Sequence, residues 1–256
     1  MNVLREPRVY LLGRQTVAAD QIDRFLRDNG LDWETDTEVG AQLLCEMAGR
    51  VCYMSFGRGR KTNQEYLGNI IEVQHGSVLE HAAWSFLITG VSRSFTHELV
   101  RHRAGFAYSQ LSQRYVDESD CDFVEPACIA ADPELHTIWE ESVQQSHTAY
   151  CRLVEALART FKDESDPTLR RKLARQAARS VLPNATETKI FVTGNARAWR
   201  HFIELRANEH AEVEIRGVAV RILEILTREA PHLFGDYQLE VLGDGTKVAR
   251  TPHRKV

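Results

Sequence analysis

Between His136 and Thr227 the chain carries three long stretches of helical periodicity, and one short apolar run separates the last two. His136–Phe161 sets its apolar residues on one face, as an amphipathic helix does. A second helix is expected over Pro167–Val181: Asp166 can cap it, Pro167 already has a helical φ, and Pro183 stops it. Ala196–Thr227 keeps a helical period throughout, with one break expected near Asn208. Only Lys189–Thr193 (KIFVT), β-branched and aromatic, reads as a strand in this region. Long helices with short strands between them point to a single α+β domain over residues 1–256.

The first half adds smaller pieces. Arg8–Leu12 (RVYLL) reads as a short buried strand, followed by a helix over Ala19–Asp28. Gln42–Met54 and Asn63–Val73 have helical spacing, the second leading into the turn His75-Gly76-Ser77. Ala82–Thr89 is expected to be a strand bounded by Gly90, and Ser92–Arg103 a helix capped by Ser92. Tyr108–Val116 reads as extended and Glu118–Pro133 as a loop. Gly57-Arg58-Gly59-Arg60 reads as a mobile basic loop, with phosphate contact as the alternative. There is no internal repeat, low-complexity tract or linker.

A net charge of -4 argues against a protein that coats nucleic acid. Positive charge gathers instead around 101–114 and 170–206, which suits small anionic ligands. No stretch approaches the roughly 20 apolar residues of a membrane span, and MNVLREPRVYLLG lacks the marks of a signal peptide. Cys45, Cys52, Cys121, Cys128 and Cys151 form no C-x-x-C pair, so reduced thiols in a cytoplasmic protein are expected. No metal site is expected either. In His97-Glu98-Leu99-Val100-Arg101-His102 the second histidine comes one residue later than the i, i+4 spacing of zinc proteases, and Arg101 stands at the ligand position. That extra residue turns the ring about 100° off the shared helix face. Walker, Rossmann and nucleophile-elbow motifs are absent.

The densest chemistry lies in Arg101-His102-Arg103-Ala104-Gly105-Phe106-Ala107-Tyr108-Ser109-Gln110-Leu111-Ser112-Gln113-Arg114-Tyr115. Guanidinium forks match phosphate oxygens, and hydroxyls and amides beside them suit an anionic, planar ligand. A solvated basic turn would also account for the charge. Arg206, His210 and Glu214, spaced four residues apart, are expected on one helix face, as are Arg197 and His201. They read either as a surface ion-pair ladder or, beside the strand-to-helix junction Asn195-Ala196-Arg197, as ligand contacts. His75, Glu80 and His81 form a further small cluster, open to a packing or a functional reading.

Arg101-His102-Arg103, eight residues, then Ser112-Gln113-Arg114-Tyr115 resembles the signature of the flavin-dependent thymidylate synthases. The resemblance extends to His75…Glu80-His81, Ala178-Arg179-Ser180-Val181-Leu182-Pro183, Asn195-Ala196-Arg197 and Leu205-Arg206-Ala207…His210-Ala211…Glu214-Ile215, covering roughly residues 40–235. It implies that family's fold, with long helices packed on a small, mostly antiparallel sheet. It also implies methylation of dUMP to dTMP without a cysteine nucleophile. FAD reduced by NADPH would supply the hydride and 5,10-methylenetetrahydrofolate the carbon. The implied assembly is a homotetramer with active sites where subunits meet, and neither nucleic acid nor membrane is an implied partner.

Carried over by position, the resemblance assigns Arg101, His102, Arg103, His75, Ser77, Asn195, Arg197 and His210 to the flavin, with His75 tied to turnover. It assigns Ser112, Gln113, Arg114 and Arg179 to dUMP, with Arg101 reaching the nucleotide too, and gives Arg206 the uracil ring. Glu98, Gln110 and His201 stand where relatives have glutamine, glutamate and asparagine. Glu98 is placed with the nucleotide residues, His201 with the flavin residues and Gln110 with both. Negative charge developing on the ring gives Arg206 a catalytic task. Two other readings remain: a related flavoenzyme acting on a different nucleotide, and a binder of nucleic acid built on the basic cluster.

Overall fold

The computed structural model describes residues 2–57 and 59–256, so Arg58 of the basic Gly57–Arg60 stretch lies outside it. The class is α+β, with helices making up about half of the chain. β2 (Arg8–Arg14), β3 (Ala83–Ser92), β6 (Glu187–Asn195) and β4 (Phe106–Gln110) lie side by side in the order β2-β3-β6-β4. β1 (Val3–Leu4) pairs in parallel with β5 (Phe123–Val124), and β7 (Gln238–Val241) pairs antiparallel with β8 (Lys247–Arg250). Contacts group the chain into two compact units.

The first unit comprises Met1–Arg8, Ile88–Val100 and Ser109–Phe191. It holds α4 (Arg93–Leu99), α5 (Ala127–Ala130), α6 (Pro133–Thr160) and α7 (Pro167–Ala178). Phe95, Leu99, Phe123, Tyr150 and Ile190 are buried in it. α6 begins three residues earlier than its periodicity suggests. Asp132 accepts from the amides of Glu134 and Leu135 and Pro133 opens the helix, the same device that starts α7 at Asp166-Pro167. β5 and α5 occupy the stretch expected to be a plain loop.

The second unit comprises Val9–Leu87, Arg101–Tyr108 and Val192–Val256. It holds α1 (Ala19–Asp28), α2 (Gly40–Tyr53), α3 (Asn63–Glu72), a 3₁₀ turn over Gly76–His81, α8 (Ala196–Arg206), α9 (Val213–Glu229) and α10 (Pro231–Phe234). Its aromatic core packs edge to face: Trp84 on Phe234 at 5.7 Å, Phe86 on Trp199 at 5.1 Å and Phe106 on Trp199 at 4.8 Å.

Three expectations need correction. β2 is an edge strand, so one face is half-buried and the other exposed rather than both buried. The extended segment is Phe106–Gln110 and gives way to a turn before Val116. α4 stops at Leu99 rather than running to Arg103: the chain turns at Val100 and Arg101, and the His102 ring is buried beyond that turn. The start of α4 is as expected: Ser92 accepts from the Phe95 amide at 3.0 Å. Ser92→Ala is therefore expected to cost about 1 kcal/mol. In a urea titration that appears as a lower midpoint with an unchanged slope.

Candidate active site

In the second unit the loop after α4 and the start of α8 are fitted to one another. Gly105 has φ +75°, and a Cβ there would sit 2.8 Å from the Ala198 Cβ and 2.9 Å from the Asn195 amide, so only glycine allows this approach. Asn195 caps α8 by accepting from the Ala198 amide at 2.8 Å. The buried His102 ring packs edge-on against Phe202 (5.2 Å) and Phe106 (6.5 Å) and lies 6.0 Å from the ring of the exposed His201. Its Nε2 accepts a bond from Arg206 Nε at 2.9 Å. Burial first, then the Arg206 and His201 charges, bring the His102 pKa down to about 4. The ring is thus neutral near pH 7, which leaves Nε2 able to accept. Arg101 and Arg103 are exposed on either side of it.

His75, Ser77 and Arg197 meet around Gly76. A Cβ on Gly76 would lie 2.7 Å from Arg197 Nε, and Arg197 also donates to Glu80 at 2.7 Å. The His75 ring stacks on Tyr53 at 6.2 Å and 13°. Tyr53, 66% exposed, borders a cleft of about 470 Å³ that His75, Tyr66 and Asn69 also line. Tyr53 was missed in the sequence because nothing in the α2 pattern distinguishes an exposed aromatic with a task from one without.

His210 is placed differently from expectation. α8 ends at Arg206 and α9 begins at Val213, so Arg206, His210 and Glu214 do not share one helix face. His210 sits in the intervening turn, 88% exposed, with Glu209 at 3.7 Å. Arg197 and His201 do share α8.

In the first unit Ser112, Gln113 and Arg114 form a tight turn. The amides of Tyr115 and Val116 bond back to the Ser112 carbonyl, and the Arg114 amide reaches Ser112 Oγ at 3.4 Å. Arg175 on α7 fastens the next residues through the Tyr115 carbonyl (2.8 Å) and Asp117 (2.6 Å). Gln113 is buried, and Arg114 Nε is buried with no hydrogen-bond partner among the described residues. An orphaned guanidinium donor is costly unless an anion meets it. Gln110 spends its amide on Thr96 (3.0 Å) and Thr188 (3.3 Å), while Glu98 is half-buried on α4. Arg179 follows α7 in a short 3₁₀ turn. It is near enough to Arg93 to push that guanidinium below its usual pKa; burial does so more strongly, and Glu118 opposes both. Arg93 had no signal in the sequence, since it belongs to no motif and only folding brings it near Arg179.

The buried Glu118 is pushed up to about 7, mainly by burial. Burial likewise pushes the thiols of Cys45 and Cys121 up to about 12, so neither supplies a thiolate at neutral pH. The sequence put no base beside any cysteine, but Cys151 does lie 3.9 Å from His147 Nε2. That nitrogen faces the Glu118 carbonyl at 3.1 Å, so it carries a hydrogen and cannot take one from the thiol.

His102 and Glu118 give opposing pH dependences. His102 has a lowered pKa, so its stabilisation is present above pH 6.5 and is lost as pH falls through about 4. Glu118 has a raised pKa, so its stabilisation is present below pH 4.5 and is lost as pH rises through about 7. Urea titrations from pH 4 to 7 should show His102→Gln losing stability as pH rises relative to the parent, and Glu118→Gln gaining it. Identical profiles for both variants would contradict these shifts.

A family model described as thymidylate synthase complementing protein matches residues 35–232. A flavin-dependent thymidylate synthase of Mycobacteroides abscessus is 53% identical over 231 residues, covering 89% of this chain and 92% of its own. One from Mycolicibacterium gilvum is 53% identical over 225 residues, covering 87% and 89%. Another, from Mycobacterium sp. strain JLS, is 56% identical over 227 residues, covering 86% and 89%.

Proposed function

The chain belongs to the family of flavin-dependent thymidylate synthases, and we propose that it makes dTMP from dUMP by reductive methylation without a cysteine nucleophile. The observation that carries this reading is the 53% identity to a relative of that name across 89% of the chain. When bound, FAD reduced by NADPH supplies the hydride, and 5,10-methylenetetrahydrofolate supplies the carbon. The donor set suits such ligands: exposed Arg101, Arg103 and Arg197 in the second unit, and the unpartnered Arg114 Nε in the first, are cations fitted to pyrophosphate and phosphate.

In our assignment Arg101, His102, Arg103, Ser77, His75, Asn195, Arg197, His201 and His210 form the flavin site. Ser112, Gln113, Arg114 and Arg179 hold the dUMP phosphate, with Glu98, Gln110 and Arg101 around the nucleotide. Arg206 lies against the uracil ring, where its charge offsets the negative charge that reduction develops. His102 stands behind it: a neutral imidazole accepting from Arg206 Nε fixes the guanidinium plane without adding a competing charge. We further propose that the whole chain works as one functional domain of the family's fold, in a cytoplasmic homotetramer whose active sites are completed by neighbouring subunits. Ile138, 59% exposed on α6, and Leu12, 56% exposed on the edge strand β2, supply apolar surface for such contacts.

The purified protein should be yellow, bleach with NADPH, and oxidise NADPH in a dUMP-dependent way; a colourless protein that binds nucleic acid would overturn the reading. Arg206→Ala should lower turnover by about 10²–10³, worth roughly 3–4 kcal/mol. Arg114→Ala should raise the KM for dUMP with a smaller change in kcat. Full turnover and unchanged dUMP affinity in both variants would sink these assignments.

A further inference from the structure

The turn that carries His75 is held on both sides by a distant part of the chain, residues 251–256. Gln74, the residue before His75, has φ +59°. This left-handed residue closes α3, with the Gln74 N–H donating to the Ile71 carbonyl at 3.1 Å and the His75 N–H to the Ile70 carbonyl at 3.0 Å. The Gln74 side chain donates through Nε2 to the Arg254 carbonyl at 3.3 Å. On the other side of His75, a Cβ added to Gly76 would lie 2.7 Å from the Val256 carbonyl carbon, and Val256 is buried. The 251–256 run is itself anchored in the same unit. Thr251 donates to Asp236 at 2.5 Å, and the His253 carbonyl accepts from Arg200 at 3.3 Å. Glu204 on α8 receives both Arg254 Nε (3.0 Å) and the Lys255 amide (2.9 Å), with only 9% of its side chain exposed.

We propose that residues 251–256 form a clamp that positions His75, and that Glu204 is the positioning residue that fastens it. Glu204 takes both bonds nearest the contact with Gln74 and Gly76. Releasing it withdraws Arg254 from the Gln74 side chain and Val256 from Gly76, the contacts that brace the chain on either side of His75. The proposal rests on the reading of His75 as a residue beside the flavin. It assigns 251–256, which belong to no motif, a part in turnover.

The test is a double-mutant cycle in the FAD-loaded enzyme, combining Glu204→Ala with His75→Gln. It reads kcat, dUMP KM, FAD Kd by flavin fluorescence and Tm. Glu204→Ala should lower kcat about tenfold, within the range that a displaced active-site group costs. It should weaken FAD binding and leave dUMP KM unchanged. In the His75→Gln background the same substitution should change kcat by less than about twofold, since coupled residues are not additive. Glu204→Gln, which keeps an acceptor for the Lys255 amide, should restore most of the rate, and Arg254→Ala gives a milder release should Glu204→Ala fold poorly. Additive losses in the cycle, or no change in kcat and FAD Kd for both Glu204→Ala and Arg254→Ala, would overturn the clamp. Failure of the parent protein to bind FAD would instead overturn the flavin reading on which it stands.

Discussion

The bond from Arg206 Nε to His102 Nε2 ties the end of α8 to the loop that follows α4. It exists only because His102 is uncharged. Two cations would repel, and a protonated Nε2 has no lone pair to offer. Burial against Phe202 and Phe106 keeps the ring neutral, and the Arg206 charge adds to the effect. The aromatic core of the second unit is therefore part of the site's electrostatics. Moving Phe202 would change the ring's protonation as well as its packing.

Within each unit the protein gathers cations despite a net charge of -4. The anionic groups of dUMP, FAD, NADPH and folate require this, and the excess of acidic side chains elsewhere does not prevent it, because exposed charges are screened within about 10 Å. Several of these cations lie in tight places: Arg114 with a buried, unpartnered Nε, and Arg93 beside Arg179. Arg175 and Asp117, by contrast, form a paired clamp that holds the Ser112–Asp117 turn in place.

Most elements of the fold were legible from local signals. Pro167, Ser92 and the Asn208 break mark helix boundaries through backbone chemistry that operates within a few residues. The misreadings share one physical cause. Periodicity records spacing and not where the chain turns away: it runs α4 past the turn at Val100 and Arg101, and it sets His210 on the face of Arg206 across the break between α8 and α9. Tyr53, Arg93, Glu204 and the 251–256 segment carried no motif at all.

Local signals in the sequence account for the α+β class, the helix starts at Ser92 and Asp166, and the clustering of guanidinium, hydroxyl and amide groups at 101–115, since these depend on local geometry and on side-chain chemistry. Only folding buries the His102 ring and so keeps it neutral, sets Arg254 and Val256 against Gln74 and Gly76, and brings the Glu118 and Arg179 charges to bear on Arg93. Desolvation and charge repulsion depend on which distant residues are brought within a few ångströms, and spacing along a chain does not record that.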